Sequence, residues 1–156
     1  MERRSTPRFL HISDCHFKSG ESYDSDRVMH AFLKSFDQQI DRYGKIDGIF
    51  VTDDIANSGK KSEYTQATAF LNQVLEMSEC GRESLFVVPG NHDVDRARLS
   101  GLQSTLASQE DADNLFCGGV IPQIELAQAD FRKWYNEFFD GIDEVGSCSP
   151  IVGASY

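Results

Sequence analysis

The chain has 156 residues, 40% of them hydrophobic, enough for one domain that buries roughly two thirds of its unfolded surface. Its 25 acidic and 15 basic residues give a net charge of −10, which argues against a nucleic-acid groove built on charge but suits divalent cations. Cys15, Cys80, Cys117 and Cys148 form no C-x-x-C pair, and neither a signal-like apolar stretch nor a bilayer-spanning run is present. The expectation is therefore a soluble cytoplasmic chain without a disulfide framework, zinc knuckle or membrane anchor.

In chain order, RFLHIS (8–13) predicts a short buried strand that stops at Asp14. Val28, Phe32, Phe36, Ile40 and Tyr43 then recur at the period of one helix face until Gly44 ends the run. GIFVT (48–52) predicts a second strand. Ser62 and Glu63 open a second helix with Tyr64, Ala67, Leu71, Val74 and Leu75 on one side, and LFVV (85–88) predicts a third strand cut off by Pro89 and Gly90. This alternation implies a parallel α/β core. After Arg98 the sequence turns polar, with at most a helix and a loop up to Gly119. From Gln123 onward Ile124, Ala127, Phe131, Trp134 and Phe138 predict a helix whose aromatic residues form a packing face, capped by Gly141. The tail GSCSPIVGASY (146–156) offers one more short strand at most.

Polar signatures follow all three strands: Asp14-Cys15-His16, Asp53-Asp54 and Gly90-Asn91-His92-Asp93. In a parallel α/β sheet the crevice beyond the carboxyl ends of the strands is where ligands bind, so the three converge. D-x-H alone is a weak signal, whereas GNHD after a buried strand is sharp. Gly90 is expected to permit a tight turn, Asn91 offers an amide oxygen, and His92 an imidazole. Two divalent cations roughly 3.5–4 Å apart need a bridging carboxylate and further oxygen and nitrogen donors, and this mixture suits Mn, Fe or Zn better than Ca.

HISDCH, VTDDIANSG and VPGNHD together resemble the opening motifs of the calcineurin-like metallophosphoesterases, over about residues 8–98. GKKSEY, running into a helix, is similar to the branch containing cyclic-nucleotide phosphodiesterases. The resemblance implies the N-terminal half of an α/β/β/α sandwich, a βαβαβ core over 1–98. A helical insertion or cap would follow over 99–145, and the start of a truncated second half over 146–156. It implies a hydrolase with a dinuclear centre of Mn, Fe or Zn, cleaving phosphodiesters or phosphomonoesters by metal-activated hydroxide. Its substrate would be a small phosphate ester such as a cyclic nucleotide. By the same resemblance, Asp14 and His16 hold one metal, Asp54 bridges both, Asn91 binds the second, and His92 stabilises the transition state or acts as general acid. Asp93 matches the end of the motif and would orient His92 or cap the next segment, whereas Asp53, beside the bridging position, would weaken or alter metal binding. Lys60 and Lys61 after the ANSG loop and Arg96 and Arg98 after the GNHD turn could reach a substrate phosphate or stand as solvated surface residues.

The chain departs from that pattern twice. Asp53 stands where family members usually carry glycine, which would introduce about 1–3 kcal/mol of strain if the position needs a positive φ, and would place a second carboxylate beside the bridge. The family also completes its site with later histidines, yet the four here, His11, His16, His30 and His92, all precede residue 93. His11 and His30 read as packed or surface residues. Two explanations follow: a fragment or truncated form of a longer chain with further domains, or a catalytically degenerate regulatory or ligand-sensing domain.

Overall fold

The computed structural model describes residues 6–20, 23–99, 108–111, 113 and 120–142. Three parallel strands, β1 (Phe9–Ser13), β2 (Gly48–Thr52) and β3 (Leu85–Val88), lie side by side in the order β1-β2-β3. Phe9 pairs with Gly48 and Ile49 with Leu85. Helix α1 (Tyr23–Tyr43) connects the first two strands and α2 (Lys61–Ser78) the second two, the latter followed by a single 3₁₀ turn at Arg82–Ser84. The fold is the α/β class that the alternation of elements implied. No helix among the described residues is long and apolar enough to cross a membrane.

Alternation along the strands divides the sheet into two unlike faces. Ile12, Ile49, Val51, Leu85 and Val87 are buried, in one core with Phe36 of α1 and Tyr64, Ala67, Phe70, Leu71 and Val74 of α2. On the opposite face Phe9, Phe50 and Val88 are 55%, 36% and 47% exposed. Phe9, Phe50 and Phe86 run across it in ring contact at 5.4 and 5.2 Å.

The α1 stripe is shorter than its periodicity implied. Phe36 is buried, but Val28 and Tyr43 are exposed. A 21-residue helix is about 31 Å long against about 17 Å for a five-residue strand, so its ends overhang the sheet. The stripe on α2 is buried throughout. At its start the Glu63 carboxylate accepts the N–H of Lys60 at 3.1 Å and both the N–H and hydroxyl of Ser58 at 2.9 and 2.8 Å, which accounts for a buried acid at the third helical position. The helix ends on Glu79 with φ 55°, a left-handed residue where glycine is usual.

Beyond β3 a 3₁₀ turn covers Arg96–Leu99. The single helix predicted from Gln123 is two: α3 (Val120–Ala127) and α4 (Ala129–Phe138), broken at Gln128. The break coincides with the Ala127 carbonyl accepting the Asp95 N–H at 2.9 Å, which ties the segment to the loop after β3. Phe131, Trp134 and Phe138 are buried, and Trp134 stacks on Tyr64 at 5.1 Å while its indole N–H donates to Thr68 Oγ1 at 2.8 Å. The aromatic stripe is a packing face against α2. Gly141 has φ 77° just past the helix. The expectations for 99–119 fall largely, and those for 146–156 wholly, outside the described residues.

Candidate metal centre

Each strand ends in a loop that turns sharply, and three of the turning residues carry a side chain. Asp14, His16 and Asp53 have φ of 56°, 47° and 62°. Left-handed backbone costs about 1–2 kcal/mol per residue outside glycine, and such residues cluster where the surrounding structure over-determines them. Here the His16 N–H donates to the Asp54 carbonyl and the Phe17 N–H to the Ile55 carbonyl, both at 2.9 Å. The first loop is thereby laced to the second, and His16 is delivered beside Asp54.

His16, Asp54 and His92 form the cluster, their ligand atoms all lying within 4.8 Å of one another. His16 Nε2 lies 3.8 Å from Asp54 Oδ2, and the two imidazoles meet edge to face at 5.0 Å. The other Asp54 oxygen, Oδ1, accepts the backbone N–H of His92 at 2.8 Å. The His92 Nδ1–H donates to the Asn57 carbonyl at 2.8 Å, which holds the ring from behind and leaves Nε2 as the nitrogen facing the cluster. The fit to a cation is direct. Two donors on one metal at about 2.0–2.2 Å lie some 3–4 Å apart, and the mixed nitrogen and oxygen set suits a transition metal or zinc.

The remaining sequence candidates are placed differently. Asp14 and Asn91 are exposed on the flanking loops, and Asp14 is not one of the three clustered groups. Asp53 does occupy a left-handed position. Its Oδ1 accepts the N–H of Asp54 at 3.1 Å, and its own N–H donates to the Val88 carbonyl at 3.0 Å. His11 is exposed and bonds Thr52 Oγ1 at 2.7 Å, and His30 is exposed on α1. Cys15 is half-buried, and burial, reinforced by Asp93 and Asp14, pushes its thiol up to about 12.

Asp93 does not touch the His92 ring. It is fully buried, and its carboxylate accepts the N–H groups of Ala56 at 2.8 Å, Gly90 at 2.9 Å and Ile55 at 3.0 Å, and the Tyr64 hydroxyl at 3.0 Å. Burial pushes the carboxyl above its ordinary range while these four donors pull it back. Asp93 thus staples the loops after β2 and β3 to each other and, through Tyr64, to the aromatic stack of α4. Arg98 pairs with Asp95 at 3.2 Å and Asp130 at 3.3 Å, which uses its charge structurally.

Two glycines are required for different reasons. Gly90 is not left-handed; a Cβ there would overlap Asp53 Oδ1 and the N and Oδ1 of Asp54, so the residue serves close approach rather than the turn. Gly59 has φ 68°, and a Cβ would meet the Asp95 nitrogen at 2.7 Å. The residue-level reading missed Gly59, the Asn57 carbonyl and the buried Glu63 clasp; only the S-G-K-K-S-E spacing, with an acid three residues into the helix, carried a trace of the last.

A cleft of about 290 Å³ adjoins the cluster, with Asn57, Ser58 and Lys60 on the β2 side and His92, Asp95 and Arg96 on the β3 side. The sequence profile described as calcineurin-like phosphoesterase matches residues 7–148. The chain is also 34% identical over 90 residues to the uncharacterized metallophosphoesterase-like protein YydB of Bacillus subtilis (strain 168), an alignment covering 57% of this chain and 18% of that protein. The chain thus spans less than a fifth of the length of the relative it matches. With a match across nine tenths of its length and a donor cluster at the strand ends, the chain belongs to the calcineurin-like phosphoesterase family.

Proposed function

We propose that this chain supplies the first half of a dinuclear, metal-dependent phosphoesterase site. The observation that carries the reading is the convergence of His16, Asp54 and His92 within 4.8 Å at the strand ends. Asp14 and Asn91, on the loops flanking the cluster, would complete the donors from this half. Mn, Fe or Zn bound there would supply Lewis acidity and an activated water for attack on phosphorus.

The chain's own residues do the rest. The Asn57 carbonyl holds Nδ1–H and directs the opposite edge of His92 toward the cluster. From there Nε2, when protonated, stabilises a phosphoryl oxygen or hands its proton to the leaving oxygen as the P–O bond breaks. Asp54 keeps Oδ2 available for cations because Oδ1 is committed to the His92 N–H. The similarity of GKKSEY to the cyclic-nucleotide branch makes a cyclic nucleotide the first natural substrate to test. A reducing cytoplasmic setting belongs to the same reading, in keeping with four widely spaced cysteines that form no C-x-x-C pair.

Donors beyond these would come from elsewhere in a longer chain. The aromatic face of Phe9, Phe50 and Phe86 supports this, because an exposed apolar sheet face is what a second layer covers. The second reading, a degenerate or ligand-sensing domain, draws on the left-handed Asp53 beside the bridging position. Metal analysis and turnover of a chromogenic phosphodiester in Mn²⁺, on this chain and on a longer form, separate the two. Activity confined to the longer form and lost in Asp54→Ala supports the enzyme. Neither metal nor turnover in either form refutes it.

A further inference from the structure

We infer that the cleft beside His92 is an anion subsite that receives a second phosphate or carboxylate, carried on the leaving group of the ester. Its placement rests on the phosphoesterase reading of the neighbouring cluster. Its charge does not. Lys60 enters from the loop before α2 and Arg96 from the turn after β3, and neither belongs to any ion pair formed among the described residues.

The cleft does hold one carboxylate, Asp95, but its charge is already matched. Its Oδ2 lies 3.2 Å from Arg98 Nε, and its Oδ1 accepts the Ala97 N–H at 3.1 Å. Two uncommitted cations therefore face an opening in a chain whose net charge is −10. An anion entering it exchanges hydration for charge-assisted hydrogen bonds, opposed only by Asp95, whose charge is already paired with Arg98.

His92 is the wall between the two chemistries. It lines the cleft and also contributes to the cluster with His16 and Asp54. A phosphorus atom seated at the cluster has its leaving oxygen beside this ring, and what that oxygen carries extends into the cleft. During hydrolysis a water oxygen bonds to phosphorus, the bond to the leaving oxygen breaks, and that oxygen gains a proton; the second anion stays unreacted on Lys60 and Arg96. In a cyclic nucleotide the leaving oxygen stays tethered to the single phosphate and would leave this subsite empty, whereas an acyclic ester with an anionic leaving group would fill it.

The test compares calorimetric binding of a butanediol bisphosphate and of butyl monophosphate to the Mn²⁺-loaded chain and to the chain stripped with EDTA. The parent is expected to prefer the bisphosphate by about tenfold, the scale of one charge-assisted hydrogen bond, and the exposed-residue double variant Lys60→Ala/Arg96→Ala to lose that preference. Equal affinity for the two probes in the parent, or a preference that survives in the double variant, overturns the subsite. Mn²⁺ affinity is read separately. Absence of Mn²⁺ binding here and in the longer form counts against the phosphoesterase reading alone, and the stripped chain still decides the cleft: bisphosphate binding abolished by the double variant supports it, and none in the parent overturns it.

Discussion

Replacing Asp93 with alanine tests the claim that one buried carboxylate holds the site together. The substitution leaves three N–H groups and the Tyr64 hydroxyl without the acceptor they share. Each buried donor so orphaned costs about 1–3 kcal/mol. The Tyr64 hydroxyl retains a long contact to the Asp93 carbonyl at 3.5 Å, so the loss is chiefly that of three backbone donors, about 3–9 kcal/mol. Against a domain stability of about 5–15 kcal/mol, this brings the chain close to unfolding. Asp93→Asn preserves the shape but turns an amide N–H₂ toward donors, which forfeits roughly half the bonds and about 2–3 kcal/mol. Urea unfolding in EDTA, followed by fluorescence of the single tryptophan, measures both variants free of metal. Trp134 suits the purpose because it stacks on the tyrosine that Asp93 holds. A cost below about 1 kcal/mol for Asp93→Ala at an unchanged urea slope would refute the stapling role.

The other predictions probe separate parts of the structure. Gly90→Ala forces the loop after β3 away from Asp53 and Asp54; it should cost about 3 kcal/mol or more and reduce Mn²⁺ affinity, seen together in unfolding and metal titration. Asp53→Gly removes the left-handed penalty but also the acceptor for the Asp54 N–H, so stability should change by less than about 1 kcal/mol while Mn²⁺ affinity shifts. Unchanged affinity and turnover in that variant would show that Asp53 has no influence on the metal. Gln128→Leu should stabilise the chain by about 1–2 kcal/mol, since the Gln128 side chain is buried with neither polar atom bonded; a lower thermal midpoint would contradict this. Trp134→Ala should cost about 3–5 kcal/mol, because α4 packs on α2 rather than standing apart.

The sequence determined the order and kind of the main elements. Hydrophobic runs of four or five residues bounded by Asp, Gly and Pro read as short strands, though the sheet buries only one of their faces, and the 3.6-residue stripe on α2 was buried as its period required. The same local chemistry marked the three strand ends as polar and metal-seeking, because GNHD and adjacent aspartates after apolar strands have no other ready use.

What tertiary structure decided was which of those polar groups meet. Asp54 and His92 are 38 residues apart and converge only because β2 and β3 pair in parallel and Asp93 staples their loops. Asp14 and His16 are two apart in sequence, yet it is His16 that joins the cluster. Its direction is set by backbone bonds to Asp54 and Ile55 that no local pattern encodes. The break at Gln128 likewise reflects a carbonyl taken up by the distant Asp95, overriding an uninterrupted helical period. Local propensity reads one turn of chain at a time, whereas a metal site is a set of distances between loops, and those distances exist only once the sheet has fixed its register.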